Sequence, residues 1–492
     1  MRPPPGPTTS VPLFGDLPLI GLGKAAGLGP PPHVRMSQLA AVHGDVMTLQ
    51  MGQEPWVVLS SPAAVHEAFV LRGSSFSGRP MVPSMKVSSG DGKGFARPVL
   101  DPELKALRRT AMGELFSKAQ VARTQESLEA EAKRLAEDLV AASARDGSVA
   151  LRPALRKAVT NMVLRYTFGA PASADPLMGS LVEVVDEIWA LLTASSTTAV
   201  DLLARDLARD SASASALSTL AYGRLPALVA QRDAILAELI HQRRQDHEQG
   251  RGRHGAPAAP MVDLLLGAGL SDDDVHYTLV DMFVAGVNTV TTALEWMMLL
   301  LAKDPVVQER ARADALRSPS TPYVDAVLCE VLRFKPPLLL PRTATCDSTI
   351  GGFDVRKGTV VLANNHALTS SERWWRAAHL FSPDRFLNEE SHLGLSGGGN
   401  AEGCKFIPFS IGQRVCPGSR LAISEMQTTA CTLLRTVRWR RSKAPIDLSE
   451  EYSLTLLPTN SQRLRFERVA QPTRAHAPAA ARRTAVPVVA RT

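Results

Sequence analysis

Phe409-Ser-Ile-Gly412-Gln-Arg414-Val-Cys416-Pro-Gly418 is the stretch on which the reading of this chain turns. Cys416 stands in a loop directly before a helix-like run, Ser419 to Thr436. Pro417 is expected at the first helical position, where its missing N–H costs nothing. A sulfur there faces the positive end of a helix, which favours thiolate over thiol. Gly412 and Gly418 let the backbone come close to something flat and bulky. Arg414 offers a carboxylate a fixed fork of donors, and Phe409 can cover one side of the sulfur against water. A thiolate in a dry loop, backed by glycines and an arginine, suits ligation of haem iron. A lone Cys-x-Gly would read better as a surface loop with a free thiol, but here every fixed position of F-x-x-G-x-R-x-C-x-G is filled.

Working outward, a long helix is expected from Ser271, with Asp272 to Asp274 in its first turn, as suits an N-terminus. It runs through Ala285-Gly286-Val-Asn288-Thr289 toward Leu301. Ala285 and Gly286 remove side-chain bulk in mid-helix, where glycine costs about 1 kcal/mol of helix propensity. Thr289 shares roughly the same face. Close helix packing explains an isolated Ala-Gly; beside the cysteine loop, room for a bound group explains it better. Glu330 and Arg333 sit at i, i+3 in a short helix, and Pro383-Asp-Arg385-Phe386 lies downstream. E-x-x-R carries weight only through this order. Arg342 follows Leu338 to Pro341, and Arg108 lies in Leu104-Lys-Ala-Leu107-Arg108-Arg109.

Together these motifs resemble those of the cytochrome P-450 family, across roughly residues 30–468. The resemblance implies a mainly α fold with small β-sheets (α+β), haem b (iron protoporphyrin IX) lying between the long helix and the cysteine loop. It makes Cys416 the axial thiolate and places Arg414, Arg342 and Arg108 on the propionates. Leu104 stands where the family has tryptophan. Ala285-Gly286-Val-Asn288-Thr289 resembles A-G-x-[D/E]-T, where a groove for dioxygen opens in the helix. Asn288 replaces the usual acid; an amide can hold a water but cannot deliver a proton by ionising, so Thr289 and water would carry the relay. Glu330, Arg333 and Arg385 would form a buried cluster that fixes the core. The segment from Lys303 to Tyr323 is shorter than the family norm.

The activity so implied is a monooxygenase, hydroxylating or epoxidising an apolar small molecule, since thiolate donation favours O–O cleavage. Two alternatives stand beside it. One is a lyase or isomerase of the same fold acting on a hydroperoxide, against which Thr289 speaks. The other is a non-catalytic haem-binding protein, which Asn288 and Leu104 keep open. No flavin or nicotinamide module is present, so NADPH would act through a separate flavoprotein reductase or another electron donor. A basic face of Lys405, Arg414, Arg420, Arg435, Arg438, Arg440 and Arg441 would dock it.

Composition bounds the rest. The chain has 492 residues, 45% hydrophobic and 21% charged, ample for a large core. Five cysteines, odd in number and not at zinc spacing, fit a reducing compartment. Net charge is +7, yet no basic run is interleaved with aromatics as single-strand binding needs, so nucleic acid is not expected. Residues 1–36 are Pro/Gly-rich, 37–468 read as a single haem-thiolate domain, and 469–492 as a disordered Ala/Pro/Arg-rich tail. The opening stretch resembles the proline-rich hinge of membrane-bound members with no anchor before it. No run approaches the roughly 20 apolar residues of a spanning helix. A cytoplasmic protein, or one at the cytoplasmic face of the endoplasmic reticulum, is expected, with Leu17 to Leu22 either in peripheral membrane contact or buried in the protein.

Overall fold

The computed structural model describes residues 2–469 except 9–14, 18, 20–29, 53, 194–200, 202–221, 250–257, 318–320, 338, 388–399 and 453–454. The expectations for Ile20, Leu22, Leu338 and the tail from 470 lie outside the described residues. The helices that build the site are α1 (Pro32–His43), α2 (Pro102–Thr110), α3 (Gln125–Asp146), α4 (Leu151–Phe168), α5 (Pro176–Thr193), α6 (Leu225–Glu248), α7 (Asp272–Lys303), α8 (Pro322–Phe334) and α9 (Ser419–Thr436).

Helix α7 is the axis. Ser271 caps it, its hydroxyl accepting from Asp274 N at 3.1 Å, with three aspartates in the first turn. Its second half is buried on every side: Leu294, Met297, Met298, Leu299 and Leu301 are fully enclosed. Two buried tryptophans tie it to neighbours, Trp296 Nε1 donating to Leu456 O at 2.7 Å and Trp439 Nε1 to Met298 O at 3.0 Å. By length and composition α7 could cross a membrane, with a mean hydropathy of 1.4 over its most apolar window. This corrects the expectation that no run comes close, but 72% of that window is buried inside the protein. An all-round apolar helix is what the centre of a large core requires.

The main sheet has strand order β1-β2-β4-β3. A hairpin is formed by β1 (Val46–Met51) and β2 (Glu54–Leu59), antiparallel with Val46 opposite Leu59. Strand β4 (Val360–Ala363) runs parallel to β2, and β3 (Arg342–Thr343) pairs antiparallel with β4, Arg342 opposite Val361. A bridge between Gly78 and Thr343 brings the chain at Arg79 beside Arg342. The start of the chain is tied down: Thr48 N donates to Pro5 O at 2.8 Å, and Leu17 packs with Met36 and Leu39. Leu17 is therefore core rather than membrane contact. Helix α1 begins at Pro32, inside the stretch read as an extended segment to residue 36. Helix α9 spans Ser419–Thr436 as expected, but with Gly418 at the N-cap, so Pro417 lies before the helix rather than at its first position.

Candidate functional site: a thiol loop ringed by arginines

The cysteine loop is a tight, glycine-dependent turn. Gly412 holds φ at +66°, and a Cβ there would lie 2.0 Å from Phe69 O, so no other residue fits. Gly418 has φ −84° and only ordinary contact with the Phe116 ring at 3.8 Å; packing within the chain does not demand glycine there. Cys416 N donates to Phe409 O at 2.9 Å. Burial pushes the Cys416 thiol above its ordinary range, opposed by the Gly418 N–H and by Arg108. This corrects the expectation of a thiolate favoured by the helix end alone: desolvation wins, and a coordinating metal is what deprotonates a buried thiol.

Around the loop stand Arg79, Arg108, Arg342 and Arg414. Arg342 is fully buried; its Nη2 donates to Ser410 Oγ at 3.2 Å and to Ile411 O, and its guanidinium lies 3.8 Å over the Phe69 ring. Its Nε and Nη1 have no partner. Arg108 Nη2 donates to Val415 O at 2.5 Å. Arg414 is buried and reaches Ser77 O at 2.7 Å, Arg97 O at 2.9 Å and Phe95 O at 3.5 Å. Arg79 Nη1 donates to Leu340 O and Pro341 O, each at 2.8 Å.

Burial lowers the proton affinity of all four, and neighbouring arginines lower it further for Arg342, Arg79 and Arg414. Arg342 falls well below its ordinary range through burial and then through Arg79, Arg414 and Arg108. Burial first, then Arg414 and Arg108, brings Arg79 to about 9; Arg414 falls to about 10 through burial and Arg108. Among the described residues none of the four has an ion pair, although other arginines of this protein have many. Buried like charges without a counter-ion are unstable. Two unpartnered donors on Arg342 within such a cluster fit a group carrying carboxylates, as the two propionates of haem b do.

On α7, Ala285 and Thr289 are exposed although Val287, Asn288 and Val290 between and beside them are buried. Thr289 Oγ1 donates to Ala285 O at 2.7 Å. The helix stays continuous here, so the expected groove is not open; the threonine hydroxyl adds a bond to the i−4 carbonyl instead of displacing the helical one. Gly286 faces Val163 on α4, and a Cβ there would meet it at 3.5 Å, an ordinary contact. Asn288 turns toward α4 and α5: its Oδ1 accepts from Arg156, which is paired with Asp186. The amide oxygen therefore takes a protein donor, which leaves the Nδ2 group as the part of Asn288 able to hold a water.

Loop and notch are joined through Phe95. Arg414 reaches its carbonyl, and its N–H donates to Asp281 Oδ2 at 2.7 Å, two turns before Thr289 on α7. Burial raises the Asp281 carboxyl to about 7. The buried cluster is assembled: Glu330 takes Arg333 Nε at 2.7 Å and Arg385 Nε at 3.0 Å, and Arg333 also holds Thr369 O at 2.7 Å.

The basic face needs revision. Arg414 is inside, Arg438 pairs with Glu309, and Arg440 with Glu467. Arg79 and Asp281 were missed. Arg79 belongs to no motif of fixed spacing, because its place depends on the Gly78–Thr343 pairing far along the chain. Asp281 could have been found four and eight residues before Ala285 and Thr289, on their helical face.

Comparison with known proteins gives the chain a family. A family model described as Cytochrome P450 matches residues 4–466. A steroid 17-alpha-hydroxylase/17,20 lyase of Ictalurus punctatus is 30% identical over 449 residues, covering 84% of this chain and 82% of its own. Zealexin A1 synthase of Zea mays is 28% identical, with 89% and 86% covered. A solved zebra fish cytochrome P450 with progesterone superposes at a TM-score of 0.73 with 27% identity, over 89% of this chain and 100% of that one. Fold and thiol loop define a haem-thiolate oxidoreductase, and the chain belongs to the cytochrome P450 family. As a member it is a haem b monooxygenase.

Proposed function

We propose that this protein inserts one oxygen atom from dioxygen into an apolar organic substrate, with electrons drawn from NADPH through a separate flavoprotein reductase. The observation that carries this reading is the pairing of a half-buried thiol loop, ringed by four arginines without ion pairs, with a hydroxyl exposed beside Ala285 in the middle of a mostly buried helix. Names of relatives, a steroid 17-alpha-hydroxylase and a dolabradiene monooxygenase, support an apolar substrate.

Cys416 would ligate the iron, and Arg342, Arg108 and Arg79 would meet the propionates, with Arg414 bracing the loop from behind through its carbonyl partners. The haem, once bound, supplies the activation of dioxygen. The chain supplies the rest. Ala285 leaves space on the face of α7. Thr289, its own proton committed to Ala285 O, presents oxygen lone pairs to accept a hydrogen bond. Leu339 and Leu340, held by Arg79 through the Leu340 and Pro341 carbonyls, would form an apolar wall.

For electron delivery, Lys105, Arg109, Lys118, Arg123 and Arg420 are exposed and, among the described residues, make no ion pair. Arg108 on the same helix as Lys105 and Arg109 touches the cysteine loop, so this revised basic face lies behind the thiol. Titrating the haem-loaded protein with apolar candidates and following the ferric spin state tests the substrate class. A shift with apolar molecules is expected; a response only to charged, water-soluble compounds would contradict it.

A further inference from the structure

A polar seam runs along the contact of α4 with α7. Asn288, Thr292 and Glu295 recur at i, i+4 and i+7, so they share one face of α7. Arg156 donates to Asn288 Oδ1. Because arginine only donates, the amide orientation is fixed and its NH2 is turned elsewhere. That Nδ2 has no partner, in a residue 5% exposed. At the other end Glu295 is 0% exposed; its Oε2 takes Arg152 Nε at 2.8 Å and its Oε1 has no partner. Between them Thr292 donates to Asn288 O at 2.8 Å and lies 3.5 Å from Thr455 Oγ1.

One orphan is a donor and the other an acceptor, separated along the axis by about 10 Å. Internal water with two or more hydrogen bonds is the usual partner of such atoms. We propose that Asn288 and Glu295 hold the two ends of a file of internal waters along α7, and that Glu295 feeds protons through it toward Thr289. The proposal rests on the monooxygenase reading. In that reaction a substrate C–H, dioxygen, two electrons and two protons give an alcohol and water. Both protons come from solvent. The Glu295 O–H breaks as its proton passes to the first water, and each water hands one on. Glu295 regains a proton at the rim, where Arg152 is partly exposed and donates to Pro458 O. Burial outweighs Arg152 and holds the Glu295 carboxyl above its ordinary range, so it can carry that proton. The acid absent at position 288 is thus replaced seven residues further along the same face.

The test uses the haem-loaded full chain with its reductase. A crystal structure should show ordered water within hydrogen-bond reach of Asn288 Nδ2 and Glu295 Oε1. Glu295→Gln should keep the thiolate-type spectrum while raising, by at least about threefold, both the share of dioxygen released as peroxide and the solvent isotope effect on dioxygen consumption. Adding Asn288→Asp should lower that peroxide share again. A dry seam, or a Glu295→Gln variant with unchanged peroxide share and isotope effect, would overturn the proposal. If the wild type itself consumes no dioxygen, the monooxygenase reading fails first.

Discussion

At the scale of single residues, the arginines separate what the chain does alone from what it does with a bound dianion. Arg342 is destabilising by itself: fully buried, repelled by three neighbours and short of two partners. Arg342→Met should therefore leave the haem-free protein at least as stable, while weakening haem retention about tenfold or more. Melting curves with and without haem read both; a variant that loses stability equally in the two states would contradict the assignment. Glu425 gives a second test, since burial raises its carboxyl from 4.5 to about 8 and its Oε1 has no partner. Between those values the folded state binds the extra proton, so stability falls as pH rises through that window. Glu425→Gln should stabilise the protein at pH 8 and make little difference near pH 4.5. A destabilisation equal at both would refute the shift. The cysteine, the threonine and the Glu–Arg pair were legible because each is a residue type at a fixed spacing. Arg79 was not, because only the fold brings it near Arg342.

At the scale of elements, the long helix and the helix after the thiol were readable from cap, period and flanking turn. Ser271 and the acidic first turn mark one start, and Ser419 to Thr436 the other helix. Their orientation was not readable. Asn288 sits next to Thr289 in sequence, yet its side chain leaves toward α4 and α5, since one residue turns a helix by about 100°. The notch glycine makes the same point. Gly286 meets only Val163 at 3.5 Å and Met282 at 4.0 Å, so Gly286→Ala should fold and gain up to about 1 kcal/mol from helix propensity. Urea unfolding measures this; a loss of more than that amount would mean the helix must bend there. Where α8 meets the Arg385 turn, Glu330→Gln leaves two arginines without their carboxylate and should cost about 3–5 kcal/mol, a change the same unfolding curves would register as a lower midpoint.

At the scale of the whole molecule, a long core helix, a thiol loop and a mixed sheet converge on one site from stretches far apart in the chain. Fold class followed from motif order, whereas the electrostatic surface did not. Ion pairs such as Arg438 with Glu309 form between elements far apart in sequence, and they cancel charge that composition counts as free. Reversing Lys105, Arg109 and Arg420 together should slow reductase-driven reduction about tenfold or more at low salt, with little effect when a small chemical reductant is used. Equal slowing by both would point to damage at the haem instead of lost docking. The central claim is that the Cys416 sulfur is the iron ligand. Its most direct measurement is the absorption spectrum of the reduced carbon monoxide complex of the haem-loaded protein. The wild type is expected to give the thiolate-type band and Cys416→Ala to lose it; the same band in both proteins would contradict the ligand and the site built around it.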